Sequence, residues 1–286
     1  MPDIPKYKLA SREWKPEKTI IDVKGCQIGG DEIFLIAGPC AVESEAQIDE
    51  IASYISQLGI KFLRGGAFKP RTSPYNFQGL QQEGLDLLRQ MSNQYNLGVI
   101  TEVMDLSLLD TVYPYTDIIQ IGSRNMKNYH LLKEIGKTDK PIMLKRGMDA
   151  TIEEWLLAAE YILLGGNEQV ILCERGTRTF DTSSRNTLDI AGIALAKQLS
   201  HLPVISDPSQ ATGSRDLIKS ASLASIAGGA DGLMIEVHND PKKALSDGPQ
   251  SLYLDQLKDM LPALAKVSKA VDKTCSWKNK HEIVNV

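Results

Sequence analysis

Residues 141–176 read PIMLKRGMDATIEEWLLAAEYILLGGNEQVILCERG, and this stretch contains one complete strand, helix and strand unit. Two short apolar runs, PIMLKRG and QVILCERG, flank a segment with helical periodicity. The helical segment opens with a capping box from Thr151 to Glu154 and ends at a glycine pair, residues 165–166. The stretch therefore predicts two parallel strands joined by a crossover helix.

The same alternation of an apolar run with an amphipathic segment recurs along the whole chain. Eight runs begin about 20 to 38 residues apart, which is the size of a strand plus a crossover helix. The runs are EIFLIAG from Glu32, IKFLRGG from Ile60, GVITEV from Gly98, DIIQIGS from Asp117, PIMLKRG from Pro141, QVILCERG from Gln169, PVISDPS from Pro203 and DGLMIEV from Asp231.

Eight such units predict a closed barrel. A parallel sheet of continuous apolar strands must be covered on both faces, and closure into a ring achieves this. We therefore predict an α/β fold, a (β/α)8 TIM barrel over residues 32–270. The alternative is an open doubly wound sheet, but IAGPC after the first run lacks the GxGxxG turn of that fold. Residues 1–31 are predicted to be a short N-terminal extension with a β-hairpin, and residues 271–286 a C-terminal tail.

The composition limits the classes of partner. Of 286 residues, 42% are hydrophobic and 24% are charged, as in a globular protein. The 32 basic and 36 acidic residues give a net charge of −4, without the basic excess expected of a nucleic-acid-binding protein. No window of roughly 18 uncharged apolar residues predicts a membrane span, and the N-terminus has no signal-like apolar region. Four scattered cysteines suit a reducing cytoplasm, where we expect the protein.

Charged residues cluster at the predicted strand ends. In a barrel the carboxyl ends of the strands meet at one mouth, where active sites lie. Six cations follow these ends closely: Arg64, Lys69, Arg71, Arg124, Lys145 and Arg175. Six converging cations would repel one another unless an anion is bound, and Arg and Lys match phosphate and carboxylate oxygens. The pattern predicts a polyanionic substrate or two phosphorylated substrates, with solvated loop charges or Arg–Glu pairs as the alternative.

A second group of strand-end residues has the chemistry of a metal site. Cys40 follows the first run, Glu236 ends the eighth, and Asp247 lies in the loop beyond, with Gln210 or His238 nearby. A thiolate with carboxylates suits Mn²⁺, Fe²⁺, Co²⁺ or Zn²⁺. The alternative is that Cys40 is a small core residue at a strand end.

Taken together, the motifs match a known family. IAGPC, FLRGGAFKPRTSPY, GSRN, LKRG, CERGTRTF with RNTLDI, DPS and EVHNDPKKALSDGPQSL occur in this order between about residues 28 and 265. They closely resemble the compact, type I-beta 3-deoxy-D-arabino-heptulosonate 7-phosphate (DAHP) synthases, which share ancestry with 3-deoxy-D-manno-octulosonate 8-phosphate (KDO8P) synthase. The resemblance implies a transferase that condenses phosphoenolpyruvate with erythrose 4-phosphate, the first step of the shikimate route to aromatic amino acids.

The resemblance also implies roles for individual residues. Lys69 is expected to donate a proton near both substrates, and Glu102 to orient the attacking water. Cys40, Glu236 and Asp247 match three of the four family metal ligands. The residues expected to hold phosphoenolpyruvate are Arg64, Lys69, Arg124, Lys145 and Arg175. Those expected to hold erythrose 4-phosphate are Pro70, Arg71 and Thr72.

The sequence departs from the family at the fourth metal ligand. The family usually has DPSH, whereas this chain has DPSQATG with Gln210 in place of the histidine. One interpretation is that Gln210 binds through its oxygen and favours a harder ion such as Mn²⁺ over Fe²⁺, Co²⁺ or Zn²⁺, and this is the ligand that we predict. The others are that His238, two residues beyond Glu236, takes its place, or that metal binding and activity are weak.

Three competing functions remain at this point. KDO8P synthases, which use arabinose 5-phosphate, typically carry a KANR-type sequence where this chain has KPRT, so Lys69–Thr72 favours erythrose 4-phosphate. A Schiff-base aldolase would use Lys145. A non-catalytic barrel would bind phosphoenolpyruvate without turnover.

The resemblance implies further expectations about partners and regulation. The family implies a homodimer or homotetramer, with a separate chorismate mutase as a candidate partner. Regulated members carry an additional domain for which this sequence has no room. We therefore expect no feedback inhibition by aromatic amino acids through such a domain.

Overall fold

A computed structural model of the protein describes residues 6–71 and 73–277. Eight parallel strands form a closed barrel in the order β10-β3-β4-β5-β6-β7-β8-β9. The predicted (β/α)8 barrel is confirmed, and each of the eight apolar runs contains one strand. The barrel strands are β3 (Phe34–Gly38), β4 (Phe62–Arg64), β5 (Gly98–Glu102), β6 (Ile118–Ile121), β7 (Ile142–Lys145), β8 (Val170–Glu174), β9 (Val204–Ser206) and β10 (Gly232–Glu236).

Helices follow the strands and cover the outside of the barrel. The α-helices are α1 (Glu45–Gln57), α2 (Gln82–Tyr95), α3 (Leu109–Val112), α4 (Tyr129–Ile135), α5 (Ile152–Leu164), α6 (Ile190–Leu199), α7 (Pro208–Thr212), α8 (Arg215–Ala227) and α9 (Leu254–Ala270). Short 3₁₀ turns occur at Leu106–Leu108, Tyr113–Tyr115, Ser123–Asn125 and Gly248–Gln250.

Helix α5 forms as the sequence predicts. The Thr151 side chain accepts from the backbone N–H of Glu154, and the Glu154 carboxylate accepts from the backbone N–H of Thr151. These two bonds satisfy backbone donors that a helix start leaves unpaired. On the buried face, Trp155 donates to the Leu144 carbonyl at 3.1 Å. The cap thus starts the helix, and Trp155 fastens it to strand β7.

The N-terminal hairpin closes the bottom of the barrel. Strands β1 (Ile21–Val23) and β2 (Cys26–Ile28) pair antiparallel around Lys24 and Gly25, whose φ angles are 52° and 76°. Two successive positive φ angles match the twist of a tight hairpin. The hairpin side chains of Ile21, Val23 and Ile28 are buried in the same cluster as the inward-facing apolar residues of the barrel. The predicted hairpin is confirmed, and it seals the end opposite the strand carboxyl termini.

The chain after α9 returns to the same end of the barrel. Thr274 pairs with Glu32, and Trp277 is 3% exposed. Residues 1–5, Thr72 and 278–286 lie outside the described residues. The domain boundaries at 31–32 and 270–271 stay a prediction. Among the described helices, none has the length and apolar character needed to cross a membrane.

Candidate active site

The inner face of the barrel changes from apolar to polar within two residues on most strands. Side chains that point inward recur every second residue along a strand. Inward-facing apolar residues fill the centre, and the next inward position on the same strand carries the polar group. The pairs are Phe62 and Arg64, Ile100 and Glu102, Ile118 and Gln120, Met143 and Lys145, Cys173 and Arg175, Ile205 and Asp207, and Met234 and Glu236.

These polar groups surround a cavity of about 270 Å³ at the carboxyl end of the strands. The structure brings together all six cations that the strand ends predicted, with Pro70, Glu102, Gln210 and Asp247 beside them. Thr72, predicted to hold erythrose 4-phosphate, lies outside the described residues. The cations that line the cavity are Arg64, Lys69, Arg71, Arg124, Lys145, Arg175 and Arg185.

Buried carboxylates hold two of these cations in place. Arg64 is 6% exposed, and its Nη2 lies 3.0 Å from Glu236 Oε1. Asp207, fully buried, forms an ion pair with Lys145 and lies 3.7 Å from Arg64 Nη1. Within the described chain, Arg64 Nη1 has no hydrogen-bond partner. A buried donor without a partner is costly, so this nitrogen is positioned to bind an anionic ligand.

Asp207 should make the stability of the protein fall at acid pH. Burial alone would raise the pKa of Asp207, but Lys145 and Arg64 outweigh burial and lower it. A lowered pKa adds stability above the unfolded value of about 3.9, and this stability is lost as the pH falls below it. We expect Asp207→Asn to reduce the acid-side loss of unfolding free energy, measured by urea denaturation from pH 7 to pH 3. Asp110→Asn, at an exposed position, is the control, and an unchanged pH profile in Asp207→Asn would contradict the assignment.

Lys69 lies between the two predicted substrate regions. Its Nζ donates to the Cys40 carbonyl at 2.9 Å and lies 3.0 Å from Cys40 Sγ. Burial lowers the pKa of Lys69, but the neighbouring Cys40 and Glu102 raise it by more than burial lowers it. The pKa of Lys69 is therefore above its ordinary value. Glu102 borders the same cavity and accepts from Gln120 Nε2 at 3.3 Å. A Cβ atom at Gly122 would come within 2.1 Å of Glu102 Oε1, so a larger residue in GSRN would displace the Glu102 carboxylate.

Cys40, Glu236 and Asp247 form the one cluster of potential metal ligands found among the described residues. Their ligand atoms lie within 4.8 Å of one another. The Cys40 thiol donates to Asp247 Oδ2 at 3.1 Å, while burial and Glu236 raise the pKa of Cys40 to about 11. A thiol and two carboxylates are a donor set that fits a borderline divalent ion, which would deprotonate the thiol on binding. These three predicted ligands are therefore together.

Gln210 reaches this cluster, but its amide nitrogen faces the carboxylates. Nε2 lies 2.5 Å from Glu236 Oε1 and 3.2 Å from Asp247 Oδ2, whereas Oε1 accepts from Arg175 at 3.3 Å. This orientation is opposite to the one that coordination through the amide oxygen requires. The physical reason is that Arg175 offers a donor on one side and the carboxylates offer acceptors on the other.

His238 is engaged elsewhere. Its Nε2 lies 3.2 Å from Glu43 Oε2, and its Nδ1 accepts from the backbone N–H of Asp240 at 3.0 Å. Both ring nitrogens thus have partners outside the metal cluster. The interpretation in which His238 replaces the missing histidine has no support in this geometry.

Arg71 and Arg185 sit at the mouth of the cavity. Arg71 Nη1 donates to Ser246 Oγ at 2.6 Å, and Ser246 Oγ lies 3.3 Å from Cys40 Sγ. Arg185 Nη1 donates to Gln250 Oε1 at 2.7 Å and lies 3.7 Å from Asp247. Sequence reasoning missed Arg185 and Gln120 as cavity residues. Arg185 begins RNTLDI within a loop rather than at a strand end, so only the motif itself could have indicated it.

Arg146 shows that a strand-end charge need not reach the cavity. It follows Lys145 directly, and its Nη1 donates to Glu174 and Asp189, both at 2.8 Å, outside the cavity. Glu174 Oε1 in turn accepts from the Gly176 N–H at 2.6 Å. This buried ion group fixes the start of the loop that carries Arg175.

Comparison with known proteins places these features in one family. The model of the DAHP synthetase I family matches residues 17–273. The chain belongs to this family. It is 50% identical over 265 residues to phospho-2-dehydro-3-deoxyheptonate aldolase of Thermotoga maritima, covering 93% of this chain and 78% of that protein. It is 30% identical to 2-dehydro-3-deoxyphosphooctonate aldolase of Geobacter sulfurreducens, covering 88% of this chain and 97% of that protein.

Solved structures of family members agree with this assignment. The crystal structure of the T. maritima DAHP synthase superposes with a TM-score of 0.93 at 48% identity, covering 96% of this chain and 80% of that one. A truncated form of the T. maritima enzyme superposes with a TM-score of 0.87 at 45% identity, covering 93% and 98%. The predicted resemblance is confirmed, and the heptulosonate branch is closer than the octulosonate branch.

Proposed function

We propose that this chain is a DAHP synthase, a transferase that condenses phosphoenolpyruvate with erythrose 4-phosphate to give DAHP and phosphate. One observation supports this most strongly: seven cations surround a single cavity beside a buried thiol–carboxylate cluster. Two phosphorylated substrates would neutralise such a cavity. The 50% identity to the T. maritima aldolase supports the same activity, which begins the shikimate route.

Phosphoenolpyruvate would occupy the deep part of the cavity. Arg64 from β4, Lys145 from β7 and Arg175 from the end of β8 all line the cavity and are each at most 6% exposed. Lys69 and Arg124 complete this proposed group from the loops beyond β4 and β6. Buried guanidinium and ammonium groups bind phosphate and carboxylate oxygens more strongly than exposed ones, because little water competes.

Erythrose 4-phosphate would enter from the mouth, with its phosphate on Arg71 and beside Pro70 and Thr72. Its aldehyde carbon would then face C3 of phosphoenolpyruvate near Lys69. Bonding of C3 to the aldehyde carbon, addition of water at C2 and departure of phosphate complete the reaction. We propose that Lys69 gives a proton to the aldehyde oxygen and that Glu102 orients the water.

A divalent ion held by Cys40, Glu236 and Asp247 would polarise the aldehyde oxygen as a Lewis acid. The thiol and the two carboxylates suit Mn²⁺, Fe²⁺, Co²⁺ or Zn²⁺. A preference for Mn²⁺ would require the Gln210 oxygen to turn toward the ion. From the family resemblance we also propose that the protein assembles as a homodimer or homotetramer. The same resemblance suggests a chorismate mutase partner and a cytoplasmic location.

Release of phosphate from phosphoenolpyruvate with different aldehydes tests the proposed activity. We expect turnover with erythrose 4-phosphate to exceed that with arabinose 5-phosphate by at least about 10²-fold, because a misplaced phosphate loses its Arg71 contacts. Equal or greater turnover with arabinose 5-phosphate would favour a KDO8P synthase. Binding of phosphoenolpyruvate without turnover of either aldehyde would indicate a non-catalytic barrel.

The Schiff-base alternative receives no support from the contacts of Lys145. A Schiff base requires a free amine, whereas Lys145 Nζ is engaged in a buried ion pair with the Asp207 carboxylate. Borohydride treatment in the presence of substrate should therefore leave Lys145 unmodified.

A further inference from the structure

The amide of Gln210 has a donor end and an acceptor end, and the structure fixes which end faces the thiol–carboxylate cluster. Its nitrogen lies between Glu236 Oε1 and Asp247 Oδ2, at 2.5 and 3.2 Å. Its oxygen is held by Arg175 on the opposite side. All three contacts are hydrogen bonds to charged groups, which are about twice as strong as neutral ones.

Rotation of this amide would be unfavourable at both ends. The oxygen would then face two carboxylate oxygens, and the NH₂ group would face the guanidinium of Arg175. Three favourable contacts would be replaced by acceptor–acceptor and donor–donor contacts in a partly buried site. The backbone of Gln210 is also fixed, because its N–H donates to Asp207 Oδ1 at 2.9 Å. The orientation therefore follows from the groups that surround the amide.

Protein groups also contact both oxygens of Glu236 and the thiol of the cluster. Arg64 lies 3.0 Å from Glu236 Oε1, and Gln250 Nε2 donates to Glu236 Oε2 at 2.7 Å. Lys69 lies 3.0 Å from Cys40 Sγ, and the Cys40 thiol donates to Asp247. Arg64 thus lies beside Glu236, and Arg185 lies 3.7 Å from Asp247, while Lys69 contacts the thiol. Such a network stays assembled through protein contacts alone.

We propose that the Gln210 NH₂ group takes the place of a cation between Glu236 and Asp247 and competes with a divalent ion, rather than serving as its fourth ligand. An ion bound to both carboxylate oxygens must displace this NH₂ group and its two hydrogen bonds. The Gln210 side chain therefore weakens cation binding at this cluster. The inference rests on the proposed function only in treating this cluster as the site of the ion.

Cation affinity in three forms of the full chain tests the proposal. Wild type, Gln210→Leu and Gln210→His are stripped with a chelator, and Co²⁺ and Mn²⁺ affinities are measured by competition with a chromophoric chelator. Absorption of the Co²⁺–thiolate bond reports that Cys40 is a ligand. No substrate is present, so the cation affinity can be measured even if the chain does not synthesise DAHP.

We expect Gln210→Leu to bind the ion about tenfold more tightly than wild type, because two hydrogen bonds to charged groups no longer oppose binding. Gln210→His should bind tighter again, by about 10- to 100-fold over wild type, because imidazole adds a ligand. Unchanged binding in Gln210→Leu would overturn the proposal. Weaker binding would also overturn it and would identify the amide oxygen as a ligand. Thermal unfolding confirms that each variant is folded, and Gln210→Ala replaces the leucine variant if that does not fold.

Discussion

Replacement of Lys69 by methionine is expected to lower kcat by about 10²- to 10⁴-fold, the range for loss of a positioned general acid. Methionine keeps the length and apolar stem of lysine but cannot donate a proton or bind an anion. The expected loss is large because Lys69 is the cation that touches Cys40 and also lines the cavity shared by both proposed substrates. The measurement is steady-state release of phosphate with phosphoenolpyruvate and erythrose 4-phosphate.

Two controls separate the chemical role of Lys69 from a structural one. Lys266→Met changes an exposed lysine on α9, and should leave kcat within about twofold of wild type because surface substitutions are nearly neutral. Lys69→Arg keeps the charge, so it should retain phosphoenolpyruvate binding better than it retains kcat. A Lys69→Met enzyme that is folded and keeps kcat within tenfold of wild type would exclude Lys69 as the proton donor.

Replacement of Arg146 by methionine is expected to lower the free energy of unfolding by about 3–5 kcal/mol, as when one partner of a buried ion pair is removed. Arg146 is the cation that contacts Glu174, a carboxylate with no exposed surface. Burial raises the pKa of Glu174, and Arg146 opposes that rise. Without Arg146 the carboxyl would be still harder to ionise in the folded protein. The measurement is urea denaturation followed by circular dichroism.

The pH dependence and a double-mutant cycle make this prediction specific. A raised folded pKa costs stability as the pH rises through it, so the deficit of Arg146→Met should be larger at pH 8 than at pH 5. Combined with Glu174→Gln, the loss should be smaller than the sum of the two single losses by about 0.5–3 kcal/mol. Additive losses that do not vary with pH would show that the ion pair is not the source of the stability.

Arg146→Met should also weaken phosphoenolpyruvate binding at a distance. Glu174 accepts from the Gly176 N–H, and Arg175 lies between these two residues in the chain. A displaced Glu174 would therefore move the guanidinium that is proposed to bind the substrate.

The periodicity of the sequence was sufficient to predict the barrel, because each strand must be apolar on both faces and each helix on one. It was also sufficient to predict that the six strand-end cations lie close together, since the carboxyl ends of parallel strands converge in any barrel. Cys40, Glu236 and Asp247 could be grouped by the same rule, although they are separated by up to 207 positions in the chain. The prediction that these three residues lie close together needed only the barrel topology and no knowledge of side-chain contacts.

The sequence could not show which of two adjacent charged side chains points into the cavity and which points away from it. Lys145 and Arg146 are adjacent and both cationic, yet Lys145 lines the cavity and Arg146 pairs with Glu174 behind it. The difference depends on which residue of the pair points inward, and a shift of one residue exchanges them. Arg185 was missed for a related reason, because a loop has no periodicity to follow.

By itself, the sequence determined the barrel, the plugging hairpin, the cationic mouth and the substitution of the usual histidine by Gln210. Only the tertiary structure decided what that substitution does. An amide can present either end, and nothing in DPSQATG says which. The choice depends on Arg175, which follows strand β8, and on Glu236 and Asp247 from beyond α8. These residues meet Gln210 only in the closed barrel. Their charges turn the nitrogen toward the carboxylates.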